Sequence, residues 1–307
     1  TAYRQQRQMC IRDSCFTVKI GDNEYTIGDG ESEFTVIVNR DIPKKDLLIS
    51  AELALGEAYM RKDIEIEGDL FKALCVVLGH VGKDSINRKV LSSLFNAGLK
   101  KKDQKQQVSS HYDLGNEFYK LWLDETMSYS CAYFKHDDDS LKDAQYQKVH
   151  HILDKLYLKE GMTLLDIGCG WGFLLIEAAR KYGVKGYGCT LSEEQWKKGQ
   201  ERIKEYGLEG QVEIELIDYR DVAASGRTFD RIVSIGMLEH VGRPNFPLYM
   251  EDASEMLKDG GLFLLHYISD PSEKETSAWR RKYIVPGGCV PSLREMVSLA
   301  YDYDMNV

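Results

Sequence analysis

The run Leu164-Leu165-Asp166-Ile167-Gly168-Cys169-Gly170-Trp171-Gly172 restricts this chain more than any other. An apolar segment ends in an acid, glycines follow at every second position, and a helical pattern starts at once over Phe173–Tyr182. The predicted geometry is a buried strand, a turn with no Cβ in the way, and a helix folded back on the strand. In a doubly wound sheet such a turn lies at the strand's carboxyl end, where a bulky ligand meets bare backbone. The spacing is Gly-x-Gly-x-Gly, not the Gly-x-Gly-x-x-Gly that wraps a pyrophosphate on a helix N-terminus. It points away from dinucleotides and towards S-adenosylmethionine, which has no phosphate to cradle. Taken alone, the pattern equally suits a sharp strand-to-helix turn in any α/β domain.

The surrounding pattern supports the ligand-binding alternative. From Gly161 onward, strand-like runs at Thr163–Ile167, Val184–Cys189, Val212–Ile217, Arg231–Ile235 and Leu262–Ile268 alternate with helical stretches, notably Glu193–Tyr206 and Phe246–Leu257. Such alternation predicts an α/β, Rossmann-like, doubly wound parallel sheet with right-handed crossovers. Ahead of it, Phe16–Val38 alternates with glycine turns at Gly21-Asp22-Asn23 and Gly28-Asp29-Gly30, which predicts a short antiparallel meander. Helical stretches at Asp46–Met60 and Gly68–Leu78, with Ile64-Glu65-Ile66 between them, complete a smaller α+β unit. The expected organisation is a disordered or non-native tail over 1–14, an N-terminal α+β domain over 15–99, a polar linker over 100–107, and a catalytic domain over 108–307 whose first part, 108–160, is a helical lid. Within that lid, Leu114, Phe118, Leu121 and Trp122 form one apolar stripe at helical spacing.

Net charge of −9 does not suit nucleic acid or an anionic membrane as a whole, so membrane contact needs a local patch. Two basic clusters qualify, Lys100-Lys101-Lys102 with Lys105, and Arg280-Arg281-Lys282, although each also reads as a solvated face. The seven cysteines include no Cys-x-x-Cys pair, which argues against a zinc site and suits reduced thiols in a cytosol-like compartment. No apolar run is long enough to span a bilayer, and no signal-peptide pattern is seen.

Six motifs occur in one order: His111-Tyr112-Asp113-Leu114-Gly115-Asn116, Tyr129-Ser130-Cys131-Ala132-Tyr133-Phe134, the glycine turn, Thr190-Leu191-Ser192-Glu193-Glu194-Gln195, Met237-Leu238-Glu239-His240-Val241-Gly242 and Lys282-Tyr283-Ile284-Val285-Pro286-Gly287-Gly288. In this register the chain strongly resembles the cyclopropane-fatty-acyl-phospholipid synthases and the related mycolic-acid methyltransferases. The N-terminal α+β unit resembles the lipid-engaging domain of the phospholipid enzymes. The resemblance implies methyl transfer from S-adenosylmethionine to the cis double bond of an unsaturated phospholipid acyl chain, through a carbocation that closes to a ring. It implies a bound bicarbonate as base, peripheral contact with the inner face of the membrane from the cytoplasm, no nucleic acid, and a homodimer. It also implies a seven-stranded sheet. Five clear strands and the start of a sixth at Met305-Asn306-Val307 therefore lead to the expectation that the C-terminus is incomplete.

Carried over residue by residue, the resemblance assigns the bicarbonate to Cys131, Glu239, His266 and Ile268. Among the aromatics crowding the expected pocket, Tyr283 is the candidate ring face beside the cation. An anion needs donors, which an imidazole supplies, whereas an ionised Glu239 would repel it, so Glu239 is expected to be neutral or to share a proton. For the methyl donor the resemblance implies Tyr129 and Ser130 over the methionine part, with Asp166, Gly168, Gly170 and Gly172 at the turn. Thr190, Leu191, Ser192 and Gln195 follow the second strand, and Asp218 and Tyr219 follow the third. No acid ends the second strand, so Gln195 is the candidate ribose partner, and Asp218 is the candidate acceptor for the adenine amine. Read alone, Cys131 is a small buried hydrophobe, Glu239 and His240 a helix start, His266 a core histidine and Asp218 a helix cap. The rival functions are a methyltransferase giving methyl-branched lipid, one acting on a small polar molecule, and an inactive lipid- or cofactor-binding fragment.

Overall fold

The computed structural model describes residues 15–80, 115–271, 273, 277–284 and 288–307. The expected tail, the 100–107 linker, the Lys100–Lys105 cluster, Leu114 and most of the His111–Asn116 motif lie outside the described residues. The chain divides into two compact units, one built from residues up to 97 with Ser277–Ile284, the other from 98–276 with Val285–Val307.

In the first unit, strands β1 (Phe16–Ile20), β2 (Asn23–Ile27), β3 (Phe34–Val38) and β4 (Ile64–Gly68) form one sheet in the order β2-β1-β3-β4. The expected antiparallel meander holds for β1 and β2, but β3 runs parallel to β1 on its other edge. The connection after β2 is too long for a tight hairpin. It crosses the end of β1 and is hooked there by Glu33 N donating to Cys15 O (2.9 Å) and Thr17 Oγ1 donating to Ser32 Oγ (3.0 Å). Helix α1 (Lys44–Met60) breaks at Ser50, and α2 (Leu70–His80) follows β4. One later segment, α9 (Ala278–Tyr283), belongs with this unit and not with the catalytic domain expected over 108–307. Trp279 leaves no room for a Cβ at Gly56, and Lys282 and Tyr283 both bond Glu57 on α1.

The second unit is the α/β domain. Its strands are β5 (Thr163–Ile167), β6 (Lys185–Thr190), β7 (Val212–Leu216), β8 (Phe229–Ile235) and β9 (Leu257–His266), all parallel, in the order β7-β6-β5-β8-β9. Chain order reverses between β5 and β8, which makes the crevice beyond their carboxyl ends the natural ligand site. Successive strand residues feed opposite cores, as the pleat requires. Leu164 and Val233 pack on one face with α4 (Leu141–Lys155), α5 (Phe173–Tyr182) and α6 (Glu193–Glu205); Leu165, Ile167 and Ile232 pack on the other with α7 (Tyr219–Ala224) and α8 (Phe246–Met256).

Three expectations are corrected. The apolar stripe is not a helix face: only α3 (Asn116–Lys120) forms there, with Gly115 at φ 88° ahead of it. Tyr119 is the buried ring, 2% exposed, whereas Leu121 is 80% exposed. The lid is accordingly only partly helical, with an irregular strap joining α3 to α4. The last expected strand begins earlier and stops at His266, because Ile268 N turns away to Glu239 Oε1 (2.7 Å). No sixth strand starts at Met305: after α10 (Leu293–Asp302), Asp304 at φ 58° reverses the chain and Met305 N donates back to Ala300 O (2.9 Å). Among the described residues no helix is long and apolar enough to cross a membrane.

Candidate active site

The crevice is built outward from the end of β5. Gly168 N and Cys169 N both donate to Cys189 O (3.1 Å each), which ties the turn to β6. Gly168 and Gly172 have φ of 81° and 78°, in the region L side chains avoid. A Cβ on Gly168 would lie 2.9 Å from Met237 Cγ, and one on Gly172 would run into Ile214 Cδ1. A Cβ on Gly170 would meet no atom within 4 Å, because Gly170 borders open space. That space is a cleft of about 1150 Å³ including its mouth, large enough for a nucleoside-sized ligand.

Tyr129, Ser130, Asp166, Gly168, Gly170, Thr190, Leu191, Gln195, Asp218 and Tyr219 all line the cleft, as the sequence leads one to expect. Two of the expected residues do not. Gly172 supports the turn, and Ser192, fully buried, caps α6 by accepting from Gln195 N (3.3 Å). Thr190 Oγ1 donates to Gln195 Oε1 (2.8 Å), so the Gln195 amide is fixed from below. Asp218 caps α7, and its two oxygens accept from Arg220 Nε (2.8 Å) and Nη2 (2.6 Å). The plain cap reading therefore holds for Asp218 alongside its place on the wall. Beside it the Tyr219 hydroxyl is buried with no hydrogen-bond partner among the described residues.

Two aromatic side chains of the lining, Tyr129 and Trp171, are joined to further rings. Tyr129 packs on Tyr119 (centroids 5.6 Å apart) and Trp122 (5.1 Å), and Tyr119 packs on Trp171 (5.2 Å), whose indole N–H donates to Asn116 Oδ1 (2.6 Å). The strap from Thr126 to Cys131 runs along this wall. Gln145 Nε2 on α4 donates to Ser128 O (3.2 Å) and Ser130 O (3.0 Å), and Arg202 Nη1 donates to Thr126 O (2.8 Å). Lys148, one turn on from Gln145, lines the cleft and donates to Ser130 Oγ (2.9 Å).

Where the strap ends, the structure joins four of the five expected catalytic residues in two pairs. Cys131 Sγ lies 3.5 Å from His266 Nε2. Glu239 Oε1 accepts from Ile268 N. The pairs approach one another through the sheet, where Gly236 N donates to His266 O (3.0 Å), and they adjoin the cleft through Ser130 and Met237. Glu239 Oε2 and His266 Nδ1 are buried and have no hydrogen-bond partner among the described residues. Cys131 is exposed, which removes its reading as a buried hydrophobe. Tyr283 belongs to the N-terminal unit, where its hydroxyl donates to Glu57 Oε1 (2.9 Å).

Burial sets the protonation of the site. Desolvation raises the Glu239 carboxyl above its usual range, in the direction expected for a group that must not repel an anion. Desolvation, helped by the Lys148 charge, lowers His266, so the imidazole is neutral near pH 7. Asp166 is pushed up to about 7 by desolvation, against the pull of Lys148. Lys148 is pushed down to about 8 by the same burial. Lys148 and Gln145 are the residues sequence reasoning missed. Their signal was faint: both stand among Ala144, Val149 and Ile152 on the one face of α4 that is buried.

Residues 99–307 match the family model described as "Mycolic acid cyclopropane synthetase", and residues 11–83 match a domain of unknown function. The chain is 36% identical to a probable fatty acid methyltransferase of Pseudomonas putida, over 88% of this chain and 70% of that protein. It is 44% identical to the cyclopropane-fatty-acyl-phospholipid synthase of Escherichia coli K12, over 82% of this chain and 65% of that protein. The chain thus spans about two thirds of these relatives' length. Among solved structures it is similar to the mycolic acid cyclopropane synthase CmaA1 complexed with SAH and CTAB, with a TM-score of 0.59 and 34% identity over 66% of this chain and 75% of that one. The parallel α/β fold is that of the S-adenosylmethionine-dependent methyltransferases, and the chain belongs to the mycolic acid cyclopropane synthetase family.

Proposed function

We propose that this protein transfers a methylene unit from S-adenosylmethionine to the cis double bond of unsaturated phospholipid acyl chains, with a bicarbonate ion held in the site and the enzyme working at the membrane surface. The observation that carries this reading is that two pairs, Cys131 with His266 and Glu239 with Ile268, form next to the cleft lined by the glycine turn. An alkene has no proton to remove before it attacks, so a base on the acceptor is not required first. Alignment and a controlled place for the late proton are what the site must supply.

The residues present fit the two groups. Open space above Gly170, bare backbone at Gly168 and the wall from Asp166 to Tyr219 suit the methyl donor. Glu239 Oε2, if protonated, donates to an anion, and His266 Nδ1 is the second polar atom in need of a partner. When bound, the donor supplies an electrophilic methyl and the bicarbonate supplies a base. The chain's own part is to favour protonation of Glu239 by burial, to orient it through the Ile268 N–H, and to keep the His266 ring fixed by its contact with Cys131. Tyr129 and Trp171 on the cleft wall, packed on Tyr119, present apolar rings, which suits an acyl chain and limits the water that would divert a cation.

The test is incubation of the chain with methyl-labelled S-adenosylmethionine and dioleoyl phospholipid vesicles, followed by mass spectrometry of the acyl chains. The expected product is an acyl chain heavier by one methylene with its double bond gone. Label in a chain that keeps a double bond or gains a methyl branch, label in a polar metabolite, or no label in lipid would each defeat this reading.

A further inference from the structure

One buried cation on the cleft wall has no part in that account. Lys148 is 8% exposed, and its one hydrogen bond among the described residues goes to Ser130 Oγ. A hydroxyl is a poor sole partner for an ammonium group with three donors removed from water. Bracing the strap does not require this charge, since Gln145 already holds Ser128 O and Ser130 O. Asp166, 4% exposed, lines the same cleft. Each charge acts on the other, yet no ion pair joins them among the described residues. Two opposite charges have been buried on one cavity wall without closing on each other. That arrangement leaves both to a ligand carrying one charge of each sign, and an α-amino carboxylate is such a ligand.

We propose that Lys148, together with the Ser130 hydroxyl, binds the carboxylate of the methionyl end of the methyl donor, and that Asp166 binds its ammonium group. The proposal rests on the methyl-donor reading of the cleft. It makes Lys148 a cofactor-binding residue of α4, placed by the same helix that fixes the strap bearing Tyr129 and Cys131. Ligand binding at Lys148 and the geometry of the reacting group at Cys131 are thereby set by one rigid element.

The experiment compares two ligands on the full chain by calorimetry at pH 7. S-adenosylhomocysteine carries the amino-acid end, and 5′-methylthioadenosine has the same nucleoside and thioether without it. The unsubstituted protein is expected to bind the first more tightly. Lys148→Met is expected to weaken S-adenosylhomocysteine by about tenfold or more, the scale of a lost charge-assisted hydrogen bond. It should leave 5′-methylthioadenosine within about twofold, which also shows that the cleft is still folded. Equal losses for both ligands, or no loss for either, would overturn the role of Lys148 while leaving the cofactor reading intact. Failure of the unsubstituted protein to bind either ligand would bring down the cofactor reading and this inference with it.

Discussion

At the scale of single residues, the costliest group in the cleft is Asp166. Burial raises its carboxyl to about 7 from an ordinary 3.8. Between those two values the folded protein holds a proton that the unfolded chain has released, so stability falls as pH rises from about 4 to about 7. Above pH 7 the whole penalty is present. Asp166→Asn removes it and is expected to raise the melting temperature of the ligand-free protein at pH 8. The gain should be smaller at pH 5 and disappear only below about pH 4, where the carboxyl is protonated in both the folded and the unfolded state. The same variant should bind S-adenosylhomocysteine more weakly. Thermal scans at the two pH values check the first claim and calorimetry the second; a variant less stable than wild type at pH 8 would refute the desolvation account. Asp166 was legible in the sequence because it ends an apolar run at a glycine turn. Lys148 was not. A lysine between Gln147 and Val149 reads as solvated, and only the strap laid over α4 takes it out of water. Ser192 and Gly172, also read as ligand residues, stand outside the cleft lining: one satisfies a helix end and the other makes room for Ile214.

At the scale of elements, the parallel sheet depends on clamps at its amino ends as well as on the turn at its carboxyl ends. Asp230, at the start of β8, accepts from Thr163 N (2.8 Å) and Thr163 Oγ1 (2.7 Å) at the start of β5, and Lys258 Nζ on β9 donates to its other oxygen (3.0 Å). One carboxylate thus ties three neighbouring strands. The Thr163 N–H bond first, then the Thr163 hydroxyl and Lys258, bring its acidity to about 2. For a lowered acid the stabilisation is fully present above about pH 4 and is lost as pH falls towards about 2. Asp230→Asn is expected to cost about 1–2 kcal/mol at pH 7 and almost nothing at pH 2. Urea titrations at both pH values measure this, and an equal cost at both would show that shape, not charge, makes the clamp. The strands that carry these groups were readable because buried parallel strands form apolar runs, as in Thr163–Ile167. Their neighbours were harder. The third strand of the N-terminal sheet alternates like a meander strand, yet its parallel pairing with β1 is decided by the path of a loop, which periodicity does not encode. The stripe Phe118, Leu121, Trp122 has helical spacing, yet the helix stops at Lys120 and all three side chains stay exposed instead of filling a core.

At the scale of the molecule, charge and apolar exposure pull in opposite directions at a lipid surface. The formal charge of −9 repels anionic lipid. Against it stand exposed Arg280 on α9 and the lysines between 100 and 105 in the sequence. Large apolar side chains are also exposed on each unit, Leu48, Ile49 and Phe71 on the first and Leu121 on the second. The decisive quantity is range. At about 0.1 M salt, charges more than about 10 Å from a surface are largely screened, so a bound protein feels its nearest groups and little of its net charge. A basic patch against anionic headgroups should therefore win at moderate salt, with each cation worth about 1 kcal/mol near the surface. The expected result is that co-sedimentation with vesicles containing phosphatidylglycerol weakens steadily from about 0.1 M to about 0.5 M salt, as the screening length contracts. Arg280→Glu combined with Lys100→Glu and Lys101→Glu should lose most of that binding at the lower salt. Binding that strengthens with salt would mean that net repulsion is being screened and that the exposed apolar residues alone make the contact.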